Sequence, residues 1–539
     1  MTSGKNILMI DRGSITDRRI VLEARAIRAM GHQVLLACAG SNAEKGDAAL
    51  PTIRFSEYKN QTLHLTRQPM SAWSHFEEVE QEVEQEVEQE VPIRSSIEQL
   101  FYEVNRLYAL SEQPMAAYDT IRGSSYPLVI KLGGLIFIPL GKICHLIASL
   151  FAPEKIPGEV GLFNLRPESL PMDATSPAET VTTETTVISE SPALPLATKI
   201  PIDLHSENLT TYFTDNPPDV WESKVIKLAL AISDLDVVHV HDLPTLRVGV
   251  FIGRQLGIPV IYDAHELYAY QPNIVGQRKS HCFEIESRLI HHCAEVVVIN
   301  RQQAEVMRSD YNYHRFTILS NATVRPEGFD PARRYSRTRD VLPIPPQEKI
   351  MLFMGGINPL RKIDQLLVGL SLARKDVHMV FLTFGSEVPF YKNLAQELGI
   401  AGRVHFLPLV PWDEIVYWCA SADVGVMPYQ LTCGNERIGS PNKMYEFIAA
   451  ATPMFGSSEI ENIRNIVEGE HFGVVLPLHE PKDYAALINL VFDENLGGCE
   501  RFRPNLLARG DRYLWDREAD DFMAMYRRLF ADTTTSRAA

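Results

Sequence analysis

The chain has 539 residues, with 52 lysines and arginines against 68 aspartates and glutamates, for a formal charge of −16. Its 45% hydrophobic, 22% charged and 9% aromatic residues are the composition of a globular protein with room for two or more domains, which excludes a small disulfide-stapled scaffold and a basic nucleic-acid-binding domain. Eight glutamates, as many as half of the net negative balance, sit in one run, residues 77–90.

Residues 6–10 are apolar and read as a buried strand; so short a stretch does not make a signal peptide, and the expectation is a cytoplasmic protein. Seven cysteines with no CxxC pair fit core thiols in a reducing compartment. Ser14 or Thr16 is positioned to cap a helix that carries Ile20, Ala24 and Ile27 on one side; Gly31 ends it, and residues 33–38 return to a strand pattern. The pattern breaks near residue 60. It resumes near Lys224 with a helix over 225–232, a strand over 237–240, a helix over 246–256, and strands over 259–262, 295–299 and 316–319. Short apolar runs alternating with amphipathic helices predict a doubly wound parallel sheet, interrupted by a long insertion.

The insertion, residues 60–205, has three compositional parts. The run 77–90 repeats every four residues and reads as a solvated helix or an acidic spacer. Residues 127–152 are rich in Leu, Ile, Val and Phe, but their uncharged stretches fall short of the roughly 20 residues that span a bilayer. On a helical wheel Lys131, Lys142, His145 and Ser149 gather opposite Val129, Leu132, Ile136, Leu140, Ile143, Ile147 and Leu150. This leaves two readings open: a helix lying in a membrane interface, or one packed on the protein or a partner. Residues 153–201 hold eight prolines among Ser, Thr, Ala and Glu, the composition of a disordered tether.

A second α/β pattern starts at Lys349: a strand over 350–354, the pair Gly355-Gly356, a helix over 363–372, strands over 379–384, 404–407, 424–427 and 454–456, and a last helix over 512–530 that is expected to pack back across both domains. Two open α/β sheets in series predict a cleft between them, with ligands at the carboxyl ends of strands. There the glycine turn allows close backbone approach, and Arg361 and Lys362 at a helix start outline a phosphate site. In the run 434–453, Ser440 suits an N-cap and Pro441 a first helical position. Asn442 and Lys443 follow in the first turn, and Glu446 stands one turn in, where a carboxylate can accept from sugar hydroxyls while the amides hold phosphate. In the first domain His241 closes a strand and His265 follows another. Both are candidates for acceptor-side work because imidazole titrates near neutrality, with Asp242, Asp263 and Glu266 to orient them or bind hydroxyls.

Taken in order, DVVHVHDLP (236–244), PVIYDAHEL (259–267), GGINPLRK (355–362), ADVGVMP (422–428) and SPNKMYEF (440–447) make the chain resemble the GT-B glycosyltransferases of the family 4 type, loosely over residues 5–55 and well over 233–530. The resemblance implies a sugar transferred from a nucleotide donor to a glycan, lipid-linked or other acceptor, with retention and without a metal or resident cofactor. Arg361 and Lys362 would face the donor diphosphate, Glu446 the ribose, and Ser440 to Lys443 would form the helix start beneath the phosphates. Two positions depart from the family pattern: Ile438 stands where a second glutamate is common, with Glu436 as its candidate substitute, and Gly356 stands where an arginine often follows the first glycine. A nucleotide-sugar epimerase of the same architecture and a non-catalytic subunit are the alternatives. The expected division is 1–59 and 206–335 for the first Rossmann-like domain, 60–205 for the insertion, 336–510 for the nucleotide-sugar domain and 511–539 for the last helix. A place at the inner membrane face, through 127–152, is part of the expectation.

Overall fold

A computed structural model describes residues 4–13, 17–39, 50–55, 69–70, 127–131, 135–139 and 209–538. The acidic repeat and the tether lie outside these residues, as do Ser14 and Thr16.

The first sheet is built from β1 (Asn6–Asp11), β2 (Gln33–Ala39) and β3 (Thr52–Phe55), then, beyond the insertion, β6 (Val237–His241), β7 (Val260–Ala264), β8 (Glu295–Val298) and β9 (Phe316–Ile318). Their order across the sheet is β3-β2-β1-β6-β7-β8-β9, all parallel. Helices cover both faces, among them α1 (Arg18–Ala29), α2 (Leu209–Asp215), α3 (Val220–Ala231), α4 (Leu243–Leu256), α5 (Gly276–Leu289) and α6 (Arg301–Tyr311). Because both faces are covered, the strands are apolar on both sides, and Ile7, Leu8, Met9 and Ile10 are all fully buried. Asp17 caps α1 by accepting from the Arg19 amide, and Asp219 and Glu222 form a reciprocal capping box on α3. The strand β3 and the helices α2, α5 and α6 are additions to the sequence reading; β3 is only four residues long and follows a break in periodicity.

The second sheet runs β12 (Val404–Leu407), β11 (Val377–Leu382), β10 (Lys349–Met354), β13 (Val424–Met427), β14 (Met454–Ser457), β15 (Gly473–Leu476), again all parallel. Its helices include α7 (Ile363–Leu372), α8 (Val388–Glu397), α9 (Asn442–Ala449) and α10 (Pro481–Val491). Both sheets reverse direction beside their first strand, β1 or β10, which is where a doubly wound sheet opens a crevice for ligands. The last helix, α11 (Trp515–Ala538), returns over the first domain, and one core cluster joins Ile27 and Leu36 to Met444 and Phe447 and to Phe522 and Tyr526. Cys38, Cys282, Cys293, Cys419 and Cys499 are buried.

Residues 79–196 form a separate compact unit. Within it β4 (Pro127–Lys131) and β5 (Leu135–Pro139) pair antiparallel, from Pro127 opposite Pro139 to Lys131 opposite Leu135. The expected helix over 127–152 is therefore corrected for its first part, while residues 140–152 lie outside the described ones. Val129, Ile130, Ile136, Phe137 and Ile138 favour strands, and short apolar runs satisfy either period. Among the described residues, no helix is long and apolar enough to cross a membrane.

Candidate active site

Between the two sheets lies a cavity of about 660 Å³, with His265, Glu266 and Asn321 on the first-domain wall and Gly355, Gly356, Arg361, Tyr429, Glu436, Ser440, Asn442, Lys443 and Glu446 on the other. Gly355 ends β10 with φ 111°, a conformation that a side chain rarely adopts, so the chain turns sharply at the strand's carboxyl end. A Cβ on Gly355 would lie 3.8 Å from the Lys443 ammonium, which sits at that turn over the Phe353 and Tyr429 rings, 4.5 and 4.8 Å from their centroids, and donates to the Tyr429 hydroxyl. Arg361 lies over the other part of this wall, its guanidinium 4.7 Å from the Tyr429 ring centroid. Lys362 is different. It adopts left-handed geometry (φ 53°) as the N-cap of α7 and does not line the cavity, so the two cations on this wall are Arg361 and Lys443, not Arg361 and Lys362.

The helix start beneath them also differs from expectation. Pro441, not Ser440, is the N-cap of α9, and no side chain caps its first turn among the described residues. The Ser440 hydroxyl pairs instead with the Tyr445 hydroxyl at 2.8 Å and accepts from Asn462 Nδ2 at 2.9 Å. The uncapped amides and the positive end of the helix dipole thus remain available at a wall formed by Pro441, Asn442 and Lys443. Glu446, 8% exposed, faces the same cavity and accepts from Arg18 Nη1 at 3.3 Å. Burial raises its carboxyl above the usual range, against the pull of Arg18 and Lys443. Glu436 accepts from the Thr432 amide at 2.9 Å and from its hydroxyl at 2.5 Å, which aims it from a short helical turn at the cavity edge. Ile438 is buried in the first domain's core, and its carbonyl accepts from Asn300 Nδ2 at 2.8 Å. At this position the chain carries an apolar side chain packed in the core.

On the first-domain wall only His265 and Glu266 of the sequence candidates reach the cavity. His241 and Asp263 are buried behind them, 1% and 0% exposed, with His241 Nδ1 3.2 Å from His265 Nε2 and Asp263 Oδ2 3.2 Å from the same atom. Asp242, at φ 62°, accepts from the His265 amide at 3.1 Å, and burial pushes its carboxyl up to about 6. The expectation of near-neutral imidazoles is corrected for both histidines. Burial lowers His241. At His265 burial is outweighed by Asp263 and Asp242, which push it up to about 10.

Sequence reasoning missed Arg18, Arg19, Asn321 and Tyr429. Asn321 Nδ2 donates to the Ser440 carbonyl at 2.7 Å, and Asn435 Oδ1 accepts from the Leu267 amide at 2.9 Å, so the two walls are hydrogen-bonded to each other. None of these residues belongs to a recognisable motif, and Arg18, Arg19 and Asn321 meet Glu446, Asp263 and Ser440 across more than a hundred positions.

Two family models match the chain: glycosyl transferases group 1 over residues 335–506, and glycosyltransferase family 4 over residues 183–333. A D-inositol 3-phosphate glycosyltransferase of Nocardioides sp. is 25% identical over 343 residues, 58% of this chain and 72% of that protein. Another, from Geodermatophilus obscurus, is 28% identical over 313 residues, 54% and 66% of the two chains. Among solved structures, Anabaena Alr3699/HepE in complex with UDP and glucose matches with a TM-score of 0.56 at 10% identity, covering 97% of this chain and all of its own. Sucrose-phosphate synthase of Thermosynechococcus elongatus matches with a TM-score of 0.51 at 13% identity, covering 98% and 100%. At such identities the solved structures speak for the fold: two Rossmann-like domains about a cleft.

Proposed function

We propose, for a chain that belongs to the group 1, family 4 glycosyltransferases of GT-B fold, that its cleft transfers a sugar from a nucleoside diphosphate sugar to a hydroxyl acceptor, with retention and with no metal ion at the diphosphate. One observation carries the reading: Arg361, Lys443, the uncapped start of α9 and the buried Glu446 all line a single cavity. A departing nucleoside diphosphate gathers negative charge, and cations and amides oriented in advance stabilise it more in the transition state than in the ground state. Glu446 accepts from the ribose hydroxyls in competition with Arg18, Glu436 meets the donor sugar, and His265 and Glu266 hydrogen-bond the hydroxyls near the reacting carbon. The bond from that carbon to the phosphate oxygen breaks, the bond to the acceptor oxygen forms, and the acceptor proton leaves on the diphosphate. The nucleotide sugar is a substrate, and no resident redox or group-transfer cofactor enters.

The test incubates the full chain with radiolabelled nucleotide sugars, UDP-glucose first, with no added divalent metal. Acceptors are D-inositol 3-phosphate, the compound in the relatives' names, and lipid-linked glycans. Label is expected to move to an acceptor, and Arg361→Ala and Lys443→Ala are expected to lower kcat at least tenfold while changing KM less. Isomerised donor without any acceptor would replace this reading by an epimerase, and absence of donor binding would end it.

A further inference from the structure

Behind the first-domain wall, four polar side chains from three elements converge in the core. His239 and His241, two apart on β6, share one face of the strand and stack at 4.6 Å between ring centroids. Asp263 is the register partner of His241 on β7, and Glu23 reaches in from α1. All four are 0 to 1% exposed, and they offer one ligand atom each within 4.8 Å of every other. Among the described residues, Glu23 Oε2, His239 Nε2, His241 Nε2 and Asp263 Oδ2 have no hydrogen-bond partner; Asp263 Oδ2 lies 3.2 Å from His265 Nε2 and 3.6 Å from His241 Nδ1 without the alignment of a bond.

The remaining atoms of these groups are, by contrast, held. Arg19 donates through Nε to Glu23 Oε1 at 2.9 Å and through Nη2 to Asp263 Oδ1 at 2.7 Å. His239 Nδ1 pairs with the Tyr526 hydroxyl at 2.9 Å, and His241 Nδ1 with His265 Nε2 at 3.2 Å. On Glu23, Asp263 and His239 an outer partner, with the inner atom left over, is the arrangement that orients metal ligands, while His241 Nδ1 lies between His265 Nε2 and Asp263 Oδ2, at 3.2 and 3.6 Å. Without a cation, two dry carboxylate oxygens and two imidazole nitrogens face one another unbonded beside Arg19 and His265, which is costly because buried polar atoms need partners.

We infer that Glu23, His239, His241 and Asp263 bind a divalent transition-metal ion. Two imidazoles and two carboxylates suit zinc, whose bonds of about 2.0–2.1 Å put tetrahedral ligand atoms about 3.4 Å apart, so ligand atoms that lie within 4.8 Å of one another draw together on binding. None of the four lines the cavity, so the ion does not touch the donor. It braces His241 and, through it, His265 on the cavity wall, and it ties α1 to the sheet. The proposal stands whether or not the transferase reading holds.

The test is metal content and affinity in the full chain. After reconstitution with zinc and desalting, mass spectrometry is expected to find close to one equivalent per chain, and cobalt in its place is expected to give the intense visible bands of a four-coordinate site. Glu23→Gln is expected to weaken zinc at least tenfold against a chromophoric chelator. Tyr526→Phe, which keeps the packing and removes only the outer partner of His239, is expected to weaken it 10- to 100-fold. It supplies the answer if the Gln variant does not fold. Less than a tenth of an equivalent in the reconstituted wild type, as two carboxylates sharing a proton would give, overturns the proposal; so does zinc bound with the same affinity in wild type and in the variants that fold.

Discussion

Glu446 and Glu286 are both buried carboxylates, and their surroundings give them different consequences. Glu446 opens onto the cavity and has Arg18 at 3.3 Å, so it has a ligand to gain. Glu446→Gln is expected to weaken nucleotide-sugar binding by about 1.5–3 kcal/mol, the range of a hydrogen bond to a charged group; calorimetry giving unchanged affinity would remove Glu446 from the donor site. Glu286 is enclosed, with the Tyr262 and Tyr311 hydroxyls each donating to it at 2.7 Å. Burial pushes its carboxyl up to about 7, although those two bonds pull the other way. The folded state therefore keeps this proton to higher pH than the unfolded chain, whose carboxyl titrates near 4.5. The contribution to stability is full below pH 4.5 and is lost as pH rises through about 7, a fall of about 3 kcal/mol in all. Glu286→Gln is expected to flatten that fall in denaturant titrations at pH 5 and pH 8, and equal pH dependence in both proteins would count against it.

At the scale of the element, the donor wall depends on how closely α9 sits on β13. Gly425 makes this possible: a Cβ there would come within 2.4 Å of the Phe447 ring, and Phe447 is fully buried. Gly425→Ala is expected to push Phe447 and the start of α9 outward, costing about 1–3 kcal/mol by overpacking and weakening donor binding with it. A variant with wild-type melting and wild-type donor affinity would mean that the helix has slack. Much of this element level was legible. The helix over 363–372 coincides with its sequence reading to the residue, because its apolar periodicity starts at Ile363, just past the turn Pro359–Arg361. Ser440 failed as a cap because Tyr445 and Asn462 compete for its hydroxyl, and neither is visible as a competitor in a local pattern.

Over the whole molecule, α11 closes the structure. The Trp515 amide donates to the Thr323 carbonyl at 3.0 Å, and Glu518 accepts from the Ser320 amide and hydroxyl at 3.0 and 2.8 Å. Phe530 meets His32 edge to face at 4.9 Å. Phe522, Met525 and Tyr526 are 0 to 1% exposed, and burying each such side chain contributes roughly 1.5–3 kcal/mol. Their combined loss approaches the whole stability of a typical domain, about 5–15 kcal/mol. A chain ending at residue 514 is accordingly expected to be insoluble or to melt without cooperativity, and a soluble product melting as the full chain does would show α11 to be dispensable.

The sequence by itself determined what is local: the alternation of apolar runs and amphipathic helices, hence two parallel sheets; the glycine turn after β10; and the helix that carries Glu446. Only the tertiary structure decided which cations line the cleft. The left-handed backbone at Lys362 takes that side chain off the wall, while Lys443, one chain reversal away in space, lands at Gly355. It also decided that Arg18 meets Glu446 across 428 positions, that Asp263 meets Arg19 across 244, and that His265 stands between carboxylates and not in solvent. Periodicity reports which face of an element is buried, but the partner across a sheet or between two domains depends on register and chain crossing. Charge state depends in turn on those partners and on burial.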